Sequence, residues 1–368
     1  MSLIAIVLPD LRVGGVERVM VNLANDWIER GFDVDMVLIS AHGELLEALD
    51  AAVRVFDLGG GRFRKSVRPL KNYLKSRNPV AVISSLWPVT SYTVIAAKLA
   101  SYRGWVLISD HSLLSLSYSN RGLVHRLLLR LSIRLTYPLA DVRIGVSRAV
   151  NMDSAALGWL SEKSFQTIYN PVINKNREVL EVPEQLDKGK KWIISVGTFK
   201  PVKRYDLLLD ALCRLKDTSV NLCLLGDGPL RGALETQIQE LGLNERVILP
   251  GFVPVTEPWY AGADLFVLCS DHEGFGNVIV EALGQGVPVV STCCPGGPRE
   301  ILGDGEFGEL VPVDDVDALA AVIDRVLEGP VDHNRLKIRA QEFSVDEISR
   351  QYLAAMRLIA GDKVGVDL

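Results

Sequence analysis

Twice along this chain, short unbroken apolar runs alternate with segments of helical period, and no other feature limits the fold as much. The first series opens with LIAIVLP, followed by VERVMVNLANDWIERG, in which Val16, Val19, Met20, Leu23, Ala24 and Trp27 recur at spacings of three and four before Gly31. DVDMVLIS, VRVFDL, VAVISSL, VLISDH and VRIGVS read as later strands, with helical stretches between most of them. A continuous apolar run suits a strand buried on both faces, and strands separated by helices pair in parallel. From Lys175 to Lys190 the text turns polar and irregular. The series then restarts with KWIISVG, YDLLLDALCRL, VNLCLLG, RGALETQIQELG, RVILPG, ADLFVLCS, VPVVST and GELVPV.

The expectation is an α/β chain of two Rossmann-like, doubly wound parallel-sheet domains. Residues 1–172 form the first, 173–190 a linker and 191–345 the second, while the helical segment 346–368, with no strand after it, packs back on the first. A length of 368 residues fits two domains, and 48% hydrophobic against 23% charged residues marks a globular chain with ample core. No apolar stretch approaches the roughly 18 residues of a membrane-crossing helix. MSLIAIVLPD lacks the basic start and small-residue cleavage site of a signal peptide and reads as a buried first strand. The cysteines, Cys213, Cys223, Cys269, Cys293 and Cys294, form no CxxC pair and sit mostly in apolar runs, as reduced core thiols of a cytoplasmic protein do. The net charge of −5 conceals an asymmetry, because Arg62 to Arg148 holds fifteen cations and only two acids, Asp110 and Asp141. So long a basic zone points to an anionic partner.

The chemistry concentrates in SDHEGFGNVIVEALGQGVPVV, residues 270–290. Glu273 follows a strand, at the end where ligands gather in open α/β sheets. Gly274 and Gly276 let backbone approach a ligand, and a helix from Asn277 offers free N–H groups to an anion. Glu281 lies eight residues beyond Glu273, roughly 12 Å if the segment is helical. That is too far for a glycosidase-like pair, so the two carboxylates hold different parts of one elongated ligand. LLGDGPLRG fails as a dinucleotide fingerprint, since Gly226, Gly228 and Gly232 are wrongly spaced and Pro229 fills the turn, which disfavours a nicotinamide-dependent oxidoreductase.

The stretch from Glu273 to Glu281 resembles the E-x7-E motif of retaining glycosyltransferases with the GT-B fold, family four. The resemblance implies that Glu273 contacts the donor sugar, that the backbone amides of Phe275, Gly276 and Asn277 meet sugar and diphosphate, and that Glu281 binds the ribose. LPDLRVGGVERVMVNLA is similar to the family's Gly-Gly loop, so Gly14 and Gly15 are expected to approach the donor phosphates from the opposite domain. In SVGTFKPVKRYDLLLDAL, Lys203 matches the lysine that neutralises the leaving diphosphate. Thr198 stands where many members have arginine and Arg204 replaces the usual glycine, so Arg204 or Lys200 supplies the missing charge. LPGFVPVTEPWYAGADLFVLCS is also similar to the family, which implies that Phe252 and Val253 border the base through main-chain polar groups. STCCPGGPREIL resembles the variant found in enzymes acting on lipid-linked or cell-surface glycans. In VLISDHS, Asp110 and His111 occupy the place of the family's Glu-His, which implies His111 at the substrate or transition state and Asp110 on the acceptor side.

These matches run in order from residue 4 to about 310 and imply a retaining hexosyl- or N-acetylhexosaminyltransferase. Its donor would be a nucleoside-diphosphate sugar such as UDP-GalNAc, UDP-GlcNAc or UDP-hexose. A GDP-mannose-type transferase and a non-catalytic sugar-nucleotide binder are the alternatives. No DxD-like pair appears in a plausible donor loop, so no metal or other cofactor is expected, and Lys203, nearby cations and helix N-termini would stabilise the leaving group. The basic zone bears on the acceptor. GRFRKSVRPLKNYLKSR, with Arg64 and Lys65, carries seven cations and no acid, and in RGLVHRLLLRLSIRL the residues Arg126, Arg130 and Arg134 recur on one helix face. With the leucines packed inward, this would be a helix lying on an anionic membrane. Few aromatics and an acidic chain overall argue against nucleic acid. The expected acceptor is a polyprenyl-diphosphate-linked glycan, met by a peripheral protein at the cytoplasmic face of the cell membrane.

Overall fold

The computed structural model describes residues 2–61, 63–174 and 181–359; Arg62, the linker residues 175–180 and residues 360–368 of the expected C-terminal segment lie outside it. The chain divides into two compact units, Met1–Asn174 with Ser344–Leu368, and Lys175–Phe343.

The first unit runs β1 (Leu3–Leu8), α1 (Gly15–Glu29), β2 (Asp33–Leu38), β3 (Arg54–Asp57), α2 (Val67–Arg77), β4 (Ala81–Ser85), α3 (Val89–Ala100), β5 (Trp105–Asp110), α4 (Leu114–Ser117), α5 (Leu123–Thr136), β6 (Val142–Gly145), α6 (Arg148–Gly158) and β7 (Gln166–Thr167). Its seven strands lie in the order β3-β2-β1-β4-β5-β6-β7, and the pairs are parallel. Ile4 to Leu8 of β1 are wholly buried, as a central parallel strand requires. Val19, Met20, Leu23, Ala24 and Trp27 of α1 turn inward as their spacing predicts, each large side chain contributing roughly 1.5–3 kcal/mol of burial. β7, two residues long, is too short to show as an apolar run.

The second unit runs β8 (Trp192–Val196), α7 (Tyr205–Arg214), β9 (Asn221–Leu225), α8 (Arg231–Glu240), β10 (Val247–Gly251), α9 (Glu257–Ala261), β11 (Leu265–Leu268), α10 (Asn277–Gln285), β12 (Val289–Thr292), α11 (Pro298–Ile301), β13 (Glu309–Val311), α12 (Val316–Glu328) and α13 (His333–Gln341). Its order is β10-β9-β8-β11-β12-β13. The glycines of LLGDGP serve this sheet. A Cβ on Gly226 would lie 2.0 Å from the Gly197 carbonyl oxygen, so only glycine lets the loops after β8 and β9 lie so close.

α14 (Val345–Ala355) belongs to the first unit. Its Ile348, Tyr352 and Leu353 join the core beneath α1, and Arg30 reaches Asp346 at 2.7 Å. Ile173 and Ser344 form a parallel bridge, and the Val345 N–H donates to the Ile173 carbonyl at 2.9 Å. These contacts put the divisions at 174/175 and 343/344, rather than at residues 172 and 345. From residue 181 the expected linker packs on the second unit, with Leu186 buried against Gly262.

Candidate active site

In the second unit the strand order reverses between β8 and β11, and a doubly wound sheet opens a crevice at such a reversal. Lys203 follows β8 and Glu273 follows β11, so residues 70 apart in sequence flank the same point. Nζ of Lys203 lies 2.5 Å from Oε1 of Glu273, and the Ser270 hydroxyl donates to the same oxygen at 2.6 Å. Both charged side chains keep some exposure, 19% for Lys203 and 13% for Glu273. The Glu273 N–H donates to the Pro295 carbonyl. The following glycines permit that approach, since a Cβ on Gly296 would come within 1.9 Å of the Glu273 carbonyl oxygen and one on Gly297 within 2.4 Å of that of Phe275. Ser270, Gly296 and Gly297 were not among the expected site residues; the Gly-Gly-Pro run was the available signal for the glycines.

Phe275 buries its ring against Phe343, centroids 5.5 Å apart, which leaves its backbone as the part able to meet a ligand. Gly276 caps α10 at φ 106°, in the region that favours glycine, and Asn277 begins the helix. One turn further on, Glu281 accepts from the Tyr260 hydroxyl at 3.0 Å and from Thr256 at 3.3 Å. These partners come from α9 and the residue before it, and nothing near Glu281 in sequence announces them. Phe252 and Val253 follow β10, Phe252 being 57% exposed. Thr198 and Lys200 are exposed.

Arg204 explains its own departure from glycine. Its φ is 48°, a left-handed conformation that costs a residue with a side chain roughly 1–2 kcal/mol. Its guanidinium compensates by pairing with Asp206 and Asp271 at 3.2 Å and with Asp314. Those carboxylates raise its pKa further above the ordinary arginine value, the Asp314 hydrogen bond foremost. With three acids around it, Arg204 carries less free positive charge toward a diphosphate than Lys203.

The first unit treats its polar residues differently. Asp110, at the end of β5, was expected on the acceptor side; its carboxylate instead points into the core, where Tyr137 donates at 2.8 Å and Ser154 at 2.7 Å. Both oxygens are occupied and the residue is 3% exposed, so the carboxylate is enclosed by the core. Burial pushes its pKa up to about 6 against those hydrogen bonds. His111 is next, with Nε2 3.0 Å from Ser109 Oγ, and burial lowers its pKa to about 3, slightly offset by Asn170. The imidazole is therefore neutral at physiological pH. Gly14 caps α1 in an extended conformation, and Gly15 opens the helix. The Glu17 side chain folds back over that cap, since a Cβ on Gly14 would meet its carboxyl oxygen at 2.1 Å, and burial raises the Glu17 pKa.

α5 corrects the expected packing of the basic helix. Its inward face is Leu129, Ile133 and Thr136, while Leu123, Val124, Leu127, Leu128, Leu131 and Leu135 are exposed. At roughly 100° per residue, Arg126 and Arg130 form a strip between the buried side and this apolar arc. Arg134 is diverted, donating to the carbonyls of Trp159 at 2.7 Å and Gly158 at 3.4 Å at the end of α6. Arg64 and Lys65 are exposed in the turn before α2. No helix among the described residues is long and apolar enough to cross a membrane, and no group of three or more His, Cys, Asp or Glu among them is placed to hold a metal ion.

The family model described as glycosyl transferases group 1 matches residues 176–343, and that described as glycosyltransferase family 4 matches residues 13–174. The N-acetylgalactosamine-N,N'-diacetylbacillosaminyl-diphospho-undecaprenol 4-alpha-N-acetylgalactosaminyltransferase of Campylobacter jejuni is 32% identical over 269 residues, 72% of each chain. The lipopolysaccharide core biosynthesis glycosyltransferase LpsE of Rhizobium meliloti is 29% identical over 359 residues, 94% of this chain and 96% of that one. Anabaena HepE, solved with UDP-glucose, superposes with a TM-score of 0.81 over 98% of this chain and 100% of that chain at 21% identity, a likeness of fold.

Proposed function

The chain belongs to the family 4, group 1 glycosyltransferases, and from that premise we propose that it moves a sugar, with retention, from a UDP-sugar to a polyprenyl-diphosphate-linked glycan. The observation that carries this reading is the Lys203–Glu273 pair at the switch point of the second unit. Charge develops on the diphosphate and on the sugar ring as the glycosidic bond breaks. A lysine beside the diphosphate and a carboxylate beside the sugar stabilise the two separately. Glu281 grips the ribose, and the amides of Phe275 to Asn277 meet the phosphates at the start of α10. Lys203 and these N–H groups take the part a divalent ion plays elsewhere, so transfer is metal-independent. The Campylobacter relative's name supports both acceptor and stereochemistry, since it uses a diphospho-undecaprenol glycan and forms an alpha linkage.

The exposed apolar arc of α5, with Arg126 and Arg130 beside it and Arg64 and Lys65 elsewhere in the same unit, supports peripheral binding to the anionic cytoplasmic leaflet, where such an acceptor is presented. A thermal-shift screen against UDP-, GDP- and ADP-sugars tests the donor, since a ligand at a hundredfold its Kd adds about 2.7 kcal/mol. UDP-sugars should stabilise the protein, and UDP release should need the lipid-linked acceptor and survive EDTA. Stabilisation by GDP-sugars alone would overturn the donor assignment, and loss of transfer in EDTA the metal independence.

A further inference from the structure

The geometry points to Tyr352 of α14 and Ser109 of β5 as positioning residues that fix the tautomer of His111. Neither is among the expected site residues, and the inference rests on the reading of His111 as a residue of the transfer site.

Ser109 Oγ lies 3.0 Å from Nε2 of His111 and 3.2 Å from the Tyr352 hydroxyl, which comes from 243 residues further along the chain. Ser109 and Tyr352 are both fully buried. Among the described residues Ser109 is the hydrogen-bond partner found for the Tyr352 hydroxyl. A buried phenol without an acceptor is costly, so Tyr352 donates to Ser109. The Ser109 hydroxyl, having accepted from one side, donates on the other to Nε2. Nε2 is then an acceptor, and the proton of the neutral ring sits on Nδ1. The anchors of α14 keep this relay in register, because Ser349 bonds Asp26, Arg30 bonds Asp346 at 2.7 Å, and Tyr352 packs in the core with Ile348 and Leu353. The C-terminal helix thereby decides which face of the imidazole donates and which accepts.

Nitrogen-15 spectra of the histidine side chains at pH 7 test this directly, with His111→Gln assigning the His111 signals. The wild type should show one tautomer, protonated on Nδ1. Tyr352→Phe keeps the ring in the core, and Ser109→Ala removes the middle hydroxyl from the other side; each should give mixed or Nε2-protonated His111. Each should also lower kcat for UDP release about tenfold with the donor KM unchanged. A wild type protonated on Nε2, or variants with the wild-type spectrum, overturns the relay, including where kcat has fallen. A changed tautomer with unchanged kcat upholds the relay and removes His111 from the transfer reaction, which separates the failure of one reading from that of the other.

Discussion

At the carboxyl end of β11 the second unit holds a charged pair, Lys203 and Glu273, still touched by water; at the carboxyl end of β5 the first unit holds a neutral imidazole and a carboxylate enclosed by hydroxyls. The same doubly wound plan thus supports opposite electrostatics. In the second unit the two charged side chains face each other at 2.5 Å and keep 19% and 13% of their surface exposed. In the first unit burial neutralises the His111 imidazole and raises the Asp110 pKa to about 6, and both side chains turn to hydrogen-bond partners within the core. The surfaces differ as well. Both carry exposed ion pairs, such as Arg350–Glu347 in the first and Arg335–Glu306 in the second, but the first adds the exposed apolar arc of α5.

The largest effect should come from the charged pair. Glu273→Gln and Lys203→Ala should each lower kcat about 100-fold, the scale of one lost transition-state contact. Because the side chains touch, the double variant should lose far less than the product of the two losses. Steady-state kinetics of the four proteins measures this, and strictly multiplicative losses would mean that the pair does not act as a unit.

Next in size is the surface contrast. Replacing Arg126 and Arg130 by glutamine should weaken binding to anionic vesicles about thirtyfold, at about 1 kcal/mol for each cation. Leu127→Ser, Leu128→Ser and Leu131→Ser together should remove the part of the binding that survives high salt. Arg134→Gln should weaken sedimentation less than either of these, its side chain being held against the end of α6. All these variants should bind UDP-sugar like the wild type. A triple leucine variant that sediments normally would show that the apolar arc does not enter the bilayer.

The smallest effect is on stability against pH, and it separates the two neighbours in the first unit. His111 titrates near 3 when folded against an ordinary 6.5, so its contribution is present above 6.5 and is lost as pH falls. Asp110 titrates near 6 against 3.8, so its contribution is present below 3.8 and is lost as pH rises through 6. Between pH 6.5 and 4 the two oppose each other. Asp110→Asn should therefore lose more Tm than the wild type over that range and His111→Gln less, by a few degrees. Identical slopes for all three proteins would mean that neither group is enclosed in solution.

Most of the fold was legible because its signal is local. An apolar run of strand length or a helical period of three and four is decided by near neighbours, and β7 escaped because two residues make no pattern. The family motifs announced Lys203 and Glu273 for the same reason, each being carried by a short stretch. The surroundings of Asp110 and the packing of α5 were not legible, because both depended on what stood opposite. No sequence pattern says that Tyr137 and Ser154 close on Asp110, or that α5 needs only Leu129 and Ile133 to seat itself and leaves its other leucines outside.

Sequence by itself determined two parallel sheets, their helices, the order of the motifs and the basic character of residues 62–148, since each follows from residue type and spacing along one stretch of chain. Tertiary structure decided the rest. It brought Lys203 onto Glu273 across 70 residues and gave Arg204 its left-handed backbone among three acids. It also neutralised His111 by burial and carried Tyr352 to Ser109 from the far end of the chain. Each of these is a contact or a desolvation between groups distant in sequence, and the energy of such an encounter exists only once the chain has folded.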